Sequence, residues 1–209
     1  MRGKQIFLET KFNNENIFEV GLDEAGRGAL AGPVTVAGCI MPEGFQHKLI
    51  KDSKLLNEAQ KKEARKIILE HAIAYHVEHV SAKKIEIMNI LKATLNGMET
   101  CLQEIYKKNA FDHILVDGNQ FHGFNDIPYT TIVGGDNKYT SIAAASILAK
   151  TERDILMKYL DEEIPGYGWN SNKGYGTKAH TNAIKEFGAS EEHRMSFISH
   201  LLTETKQLF

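Results

Sequence analysis

The chain has 209 residues, of which 42% are hydrophobic and 25% charged, and its formal net charge is −2. This composition is typical of a globular domain with a sizeable core, and it excludes a disulfide-rich scaffold and a nucleic-acid binder that depends on an overall basic charge. No apolar run approaches the ~20 residues of a membrane span. We expect a cytoplasmic monomer without a signal peptide, in which Cys39 and Cys101 are buried thiols.

The apolar pattern predicts strands and helices in alternation. Strands are expected at residues 17–23 and 33–41, joined by a glycine-rich turn, and a helix at residues 57–71 begins at the cap Asn57. A strand at 73–80 precedes helical residues 81–108, with a break expected at residues 96–97. Short strands at 113–117 and 129–133, a long helix at 139–160, a loop at 165–177 and two short helices follow. This order favours an α/β domain over residues 1–177, with a mixed central sheet flanked by helices and a small helical appendage at 178–209.

Acidic residues lie at the ends of three predicted strands. Asp23 and Glu24 end the first strand, Asp117 ends the strand HILVD, and Asp136 follows YTTIV after two glycines. If these ends are neighbours, four carboxylates converge, and divalent cations would offset their repulsion. Oxygen ligands without Cys or His select Mg²⁺ or Mn²⁺. We therefore predict a site for two such ions and in-line hydrolysis of a phosphodiester.

These residues have two other interpretations. An Asp-Gly pair after a strand is also an ordinary turn signal, so each single acid could serve a turn. The glycines at 26, 28 and 32 resemble a dinucleotide fingerprint, but a strand follows them instead of a helix, and their spacing is wrong. We reject nucleotide-cofactor binding on that ground.

Ordered motifs along most of the chain resemble the ribonuclease HII family, the type 2 ribonucleases H. They are DEAGRG at 23–28, AGPV at 31–34, DSK at 52–54, NILKAT at 89–94, VDGN at 116–119, GD at 135–136, SIAAASILAK at 141–150, RD at 153–154 and KGYGT at 173–177. The resemblance implies a ribonuclease H-like fold. It also implies cleavage of RNA in RNA–DNA hybrids and at single ribonucleotides in duplex DNA, leaving 5′-phosphate and 3′-hydroxyl ends, with roles in ribonucleotide excision repair and DNA replication.

The resemblance also implies roles for individual residues. Asp23, Glu24, Asp117 and Asp136 look like the catalytic, metal-binding carboxylates. The loop of Gly26, Arg27 and Gly28 looks like the reader of the ribose 2′-hydroxyl, and Tyr175 like the ring that packs on the nucleotide at the RNA–DNA junction. Weaker candidates for phosphate contacts are Ser53, Lys54, Asn89 and Lys150.

Two positions leave alternatives open. Asp154 competes with Asp136 for the fourth carboxylate; we favour Asp136, and expect Asp154 to pair with Arg153 or Lys158. Asn172 stands where the family commonly has histidine, which puts the role of that position in doubt.

Two competing functions, a related enzyme type and one further partner are alternatives or additions to this prediction. Another nuclease of this fold acting on DNA junctions, and a silent nucleic-acid-binding module, are the competing functions. The type 3 enzymes fit less well, because their loop typically lacks the arginine that this chain has between two glycines. The tail Gln207, Leu208 and Phe209 suggests docking to a sliding clamp, although a packed helix end explains it more simply.

Overall fold

The computed structural model describes residues 7–13, 17–51 and 53–205. Its strands are β1 (Glu19–Ala25), β2 (Val34–Ile40), β3 (Ala74–Val80), β4 (His113–Asp117) and β5 (Tyr129–Ile132). The helices in these residues are α1 (Glu58–His71), α2 (Ala82–Met88), α3 (Ile90–Tyr106), α4 (Thr140–Glu163), α5 (Trp169–Asn172), α6 (Lys178–Phe187) and α7 (Met195–Thr205).

The five strands form one mixed sheet in the order β3-β2-β1-β4-β5. β2 is antiparallel to both of its neighbours, β1 and β3, whereas β4 is parallel to both of its neighbours, β1 and β5. All seven residues of β2 are buried, because helices cover both faces of the sheet. The predicted mixed-sheet α/β fold is confirmed.

Helices pack on both faces of the sheet and form two main cores. On one face, α1 and α4 contribute Ala64, Ile68 and the alanines 143–145. On the other face, α3 contributes Met98, Leu102 and Ile105. A Cβ on Gly21 would lie 2.3 Å from the carbonyl carbon of Ser141, so the backbones of β1 and α4 are in contact. This contact sets α4 close to the strand that carries the first two acids.

The boundary between α2 and α3 differs from the predicted one. Asn89 separates α2 from α3 with φ of 69°, and its side chain accepts a hydrogen bond from the Lys92 amide at 3.1 Å. Asparagine tolerates this left-handed conformation and caps the following helix. The prediction of a break at residues 96–97 was wrong, because Gly97 instead lets α3 approach the sheet: a Cβ there would meet Val36 at 2.8 Å.

The predicted loop at 165–177 contains the short helix α5. The indole of Trp169 is fully buried, and its backbone amide donates to Asp161 at 2.7 Å. Trp169 packs with Ile184 and Ile198 in a third core, formed with α6 and α7. The division of the chain at residue 177 stays a prediction. None of the helices in the described ranges is both long and apolar enough to span a bilayer.

Candidate metal and nucleic-acid site

The parallel strands bring three acids to one edge of the sheet. Leu22 pairs with Val116, so Asp23 at the next position of β1 lies beside Asp117 of β4. Asp117 in turn pairs with Ile132 of β5. The chain leaves β5 through a 3₁₀ turn, Gly135–Asn137, where Asp136 is buried. Since adjacent strands are about 4.8 Å apart, Asp23 and Asp117 are neighbours at this edge, and Asp136 lines the same pocket as both.

Hydrogen bonds orient these carboxylates. The Gly135 amide donates to Asp117 Oδ1 at 2.7 Å, which ties the turn of Asp136 to the end of β4. The Glu24 amide donates to Asp23 Oδ1 at 2.7 Å, and Ser146 of α4 also bonds to the Asp23 side chain. Local hydrogen bonds therefore orient the side chains of Asp23 and Asp117.

The electrostatics of the edge favour a cation. Burial, the charge of Glu24 and the charge of Asp117 raise the pKa of Asp23 well above its usual value. Burial also raises the pKa of Glu24, although Arg27 lies 3.2 Å away and opposes the shift. Within the described residues, no three His, Cys, Asp or Glu side chains already form a ligand-like cluster. The fit of a divalent ion therefore rests on the hard oxygen donors and on the mutual repulsion of Asp23, Glu24 and Asp117.

Most of the predicted site residues line one open pocket of about 370 Å³. It is lined by the four acids, by Gly26, Arg27 and Gly28, and by Ser53, Lys150 and Tyr175. Asn89 does not line it; its side chain caps α3. The side chain of Lys54 lies outside the part of the chain that the structure describes. The proposed roles of all these residues stay predictions.

Sequence reasoning missed two polar lining residues, Ser146 and Lys61. Ser146 directly follows three alanines that pack α4 against the sheet, so its neighbours do not mark it as a pocket residue. Its position four residues before Lys150 puts both on one face of α4, and that spacing was the available signal.

The two glycines beside Arg27 serve different purposes. Gly26 has φ of +89°, and a Cβ there would lie 2.0 Å from Arg153 Nε, so the fold itself requires this glycine. Gly28 is exposed, and a Cβ there would meet no atom within 4 Å. Among the described residues, none accepts a hydrogen bond from the Gly28 amide. Gly28 thus leaves open space and a backbone donor without an acceptor among the described residues.

Asn172 holds the loop that carries Tyr175. Its amide nitrogen donates to the Tyr167 carbonyl at 2.7 Å, and its Oδ1 accepts from the Gly174 amide at 2.8 Å. The Tyr175 ring is 37% exposed and lies 5.3 Å from the Arg153 guanidinium. An asparagine at 172 therefore shapes the loop through backbone contacts.

A buried network of aromatic and imidazole groups lies beneath the same loop. Trp169 Nε1 donates to His180 Nε2 at 3.0 Å, and His193 Nε2 lies 3.1 Å from the same atom. His193 Nδ1 accepts from the Ser190 amide at 2.9 Å, so its proton belongs on Nε2. His180 Nδ1 then donates to the Tyr175 carbonyl at 3.0 Å. Both imidazoles are neutral in this arrangement.

Asp154 differs from its expected pairing. Its Oδ1 lies 2.7 Å from Lys150 Nζ, one turn earlier on α4, and not beside Arg153 or Lys158. The reason is helical geometry, since residues four apart share a face. Asp154 lines a neighbouring groove and not the acid pocket.

That neighbouring groove has a volume of about 710 Å³ and lies between α1, α4 and α5. Five cationic side chains line it against two acidic ones, Glu58 and Asp154. The cations are Lys61, Lys62, Arg65, Lys158 and Lys173. Lys61 lines both the groove and the acid pocket, so the two are adjacent. We call it the basic groove.

The mixed sheet with acids at its parallel edge defines the chain as a nuclease of the ribonuclease H-like fold. The family model for ribonuclease HII matches residues 20–200. The chain therefore belongs to the ribonuclease HII family, whose members are divalent-metal-dependent ribonucleases H. This chain is 48% identical over 184 residues to a ribonuclease HII of Bacteroides thetaiotaomicron, and the match covers 88% of this chain and 91% of that protein. It is 49% identical over 186 residues to one of Christiangramia forsetii, covering 89% and 93%.

Solved structures agree with the fold. The ribonuclease HII chain in the complex of PCNA with RNase HII from Archaeoglobus fulgidus matches with a TM-score of 0.69 and 25% identity, over 85% of this chain and 94% of that one. Ribonuclease H2 from Pyrococcus horikoshii matches with a TM-score of 0.73 and 21% identity, over 91% and 99%. Bst-RNase HIII in complex with Mn²⁺ matches with a TM-score of 0.70 and 19% identity, over 91% and 71%.

Proposed function

We propose that this chain hydrolyses the RNA of RNA–DNA hybrids and incises duplex DNA at embedded ribonucleotides, leaving 5′-phosphate and 3′-hydroxyl ends. One observation carries the proposal: the four acids, an unpaired backbone donor at Gly28 and the exposed ring of Tyr175 line the same pocket. This arrangement combines groups for phosphodiester chemistry with groups that could contact a single nucleotide.

Asp23, Glu24, Asp117 and Asp136 would hold two Mg²⁺ or Mn²⁺ ions. Such ions lower the pKa of a bound water and stabilise charge on the attacking and leaving oxygens. The protein's own part is to orient the donors. The Gly135 amide fixes Asp117, and Ser146 bonds to Asp23.

The loop of Gly26, Arg27 and Gly28 would read the ribose 2′-hydroxyl, the group that distinguishes RNA from DNA. The open space and unpaired amide at Gly28 support this role. Tyr175 would pack its exposed face on the neighbouring nucleotide, while its other contact is the Arg153 guanidinium.

The basic groove would bind the phosphate backbone of the duplex beyond the cleavage site. Its excess of cations supports contacts that position a duplex without reading its sequence. Within the pocket, Ser53 and Lys150 would contact phosphates nearer the cut. Lys54 and Asn89 remain weaker candidates.

The test is cleavage of a duplex with one ribonucleotide and of the matched all-DNA duplex, in Mg²⁺, Mn²⁺ or EDTA. We expect metal-dependent cutting of the first only, with 5′-phosphate products, and loss of at least about 100-fold in kcat for Asp23→Asn and Asp136→Asn. Asp154→Asn is the matched control and should stay within about threefold. Equal cutting of the all-DNA duplex would support a DNA-directed nuclease instead.

A sliding clamp is the proposed protein partner, through Gln207, Leu208 and Phe209. These residues lie outside the described part of the chain, and the suggestion is supported by the Archaeoglobus complex alone. Deleting residues 207–209 should abolish clamp binding in a pull-down with purified clamp; undiminished binding would contradict this proposal.

We also propose that the protein is a monomer that works in the cytoplasm, where the buried thiols of Cys39 and Cys101 stay reduced.

A further inference from the structure

Two arginines are fully buried and donate only to backbone carbonyls. Arg194 is 0% exposed and Arg153 is 1% exposed. Arg194, which immediately precedes α7, donates to the Gly32 carbonyl at 2.8 and 3.0 Å and to the Arg27 carbonyl at 2.9 Å. No carboxylate among the described residues lies within salt-bridge distance of either guanidinium. A buried cation without a carboxylate partner is costly, which points to a specific task for each arginine.

The contact of Arg194 with the Arg27 carbonyl determines the direction of one amide. The peptide that joins residues 27 and 28 is planar and trans, so its carbonyl and its N–H point in opposite directions. Arg194 draws the Arg27 carbonyl into the protein interior. The Gly28 N–H then points away from this buried carbonyl, and Gly28 itself is exposed and lines the acid pocket.

Arg153 fixes the surroundings of this peptide. Its three nitrogens donate to the carbonyls of Pro33, Lys173 and Ala31 at 3.0, 2.8 and 3.2 Å. These bonds join the segment that follows the glycine loop to the segment that carries Tyr175. Arg153 thereby stabilises the backbone segments around the peptide that Arg194 orients.

We propose that Arg194 is a positioning residue that aims the Gly28 amide at the ribose of the substrate. The proposal rests on the proposed function and adds to it a residue from the C-terminal segment, 167 positions from the loop that it orients. Lysine could not substitute, because one ammonium group cannot reproduce the planar fork that grips two carbonyls at once.

The test compares wild type with Arg194→Lys on two duplexes. Cleavage of the single-ribonucleotide duplex gives kcat/KM, and the all-DNA duplex, added as a competitor, gives its inhibition constant. We expect kcat/KM to fall about tenfold, the equivalent of one hydrogen bond, while the inhibition constant changes less than twofold. Equal losses on both duplexes, or unchanged kcat/KM, would overturn the proposal.

A matched control separates positioning from general destabilisation. Ile198→Ala opens the same C-terminal core, since Ile198 is fully buried on α7, but leaves the Arg194 contacts in place. It should lower Tm at least as much as Arg194→Lys and leave kcat/KM unchanged at 25 °C.

A measurement on the wild type does not depend on how the variant folds. Amide exchange of Gly28, followed by NMR, should slow on adding an excess of the single-ribonucleotide duplex and much less on adding the all-DNA duplex. The same exchange rate with both duplexes would refute the proposal. If the wild-type protein does not cut the ribonucleotide duplex at all, the proposed function is refuted. That result differs from a normal wild-type activity that Arg194→Lys leaves unchanged, which refutes only the role of Arg194.

Discussion

Acidification is expected to destabilise the protein through His193. This imidazole is 3% exposed, and burial together with the neighbouring His180 lowers its pKa to about 4 from its ordinary 6.5. The folded state therefore favours the neutral ring. Its contribution to stability is complete above pH 6.5 and is lost as the pH falls towards 4.

The size of the effect follows from the two pKa values. Between pH 7.5 and pH 5 the unfolded chain binds this proton and the folded chain does not, which removes about 2 kcal/mol of the free energy of unfolding. For a chain of this length, that corresponds to a fall in Tm of about 4–8 °C. His180 acts in the same direction, because burial lowers its pKa as well. Asp23 and Glu24 act in the opposite direction, since their pKa values are raised.

A variant isolates the histidine from these carboxylates. His193→Gln keeps an N–H that can donate to His180 but cannot bind the extra proton. Urea unfolding at pH 7.5 and pH 5 should show a pH-dependent loss of stability that is smaller by about 2 kcal/mol in the variant than in wild type. An equal loss in both proteins would refute the reasoning, as would an NMR titration that places the pKa of His193 near 6.5.

Four substitutions test other parts of the structure. Asp23→Asn should raise Tm in EDTA by about 2–4 °C, the equivalent of 1 kcal/mol, because the ionised carboxylate is unfavourable there at neutral pH; a lower Tm by differential scanning fluorimetry would contradict this. Asn172→Ala leaves two loop backbone groups without partners and should lower Tm by about 4–8 °C, as two hydrogen bonds of about 1 kcal/mol imply, and reduce kcat/KM. Gly21→Ala forces a Cβ into the backbone of Ser141 and should abolish soluble expression, whereas Gly28→Ala, with open space around its Cβ, should keep the wild-type Tm.

The acid edge could be predicted from the sequence because its signals are local. Each acid lies at or just after the end of a short apolar run, with a glycine within two residues, and parallel strands bring such ends together. The resemblance then added the substrate, which no local pattern contains. Asp136 illustrates the limit: its place after β5 was predictable, but its burial in a 3₁₀ turn was not.

The contacts that shape the loops could not be predicted in the same way. Arg194 and its partner Arg27 are 167 positions apart, and an arginine that donates to carbonyls leaves no complementary acid to find. The break at Asn89 was missed because a residue in the left-handed region is not marked by hydrophobic periodicity. Asn172 seemed a departure from the family pattern, and only its two backbone partners explain how it shapes the loop.

The helix α4 also constrains how this chain can change in length. Ser146 and Lys150 reach the pocket and Arg153 reaches the loops, and these three residues lie within two turns of one rigid helix. An α-helix rises 1.5 Å and turns 100° per residue, so Ser146 and Arg153 are separated by about 10 Å and lie on nearly the same side. Inserting or deleting a single residue between them would rotate one by about 100° away from the other. Helix α4 thus fixes the distance and direction between the acids and the loop that carries Tyr175. Insertions and deletions therefore have to occur elsewhere, for example in the connection between β4 and β5.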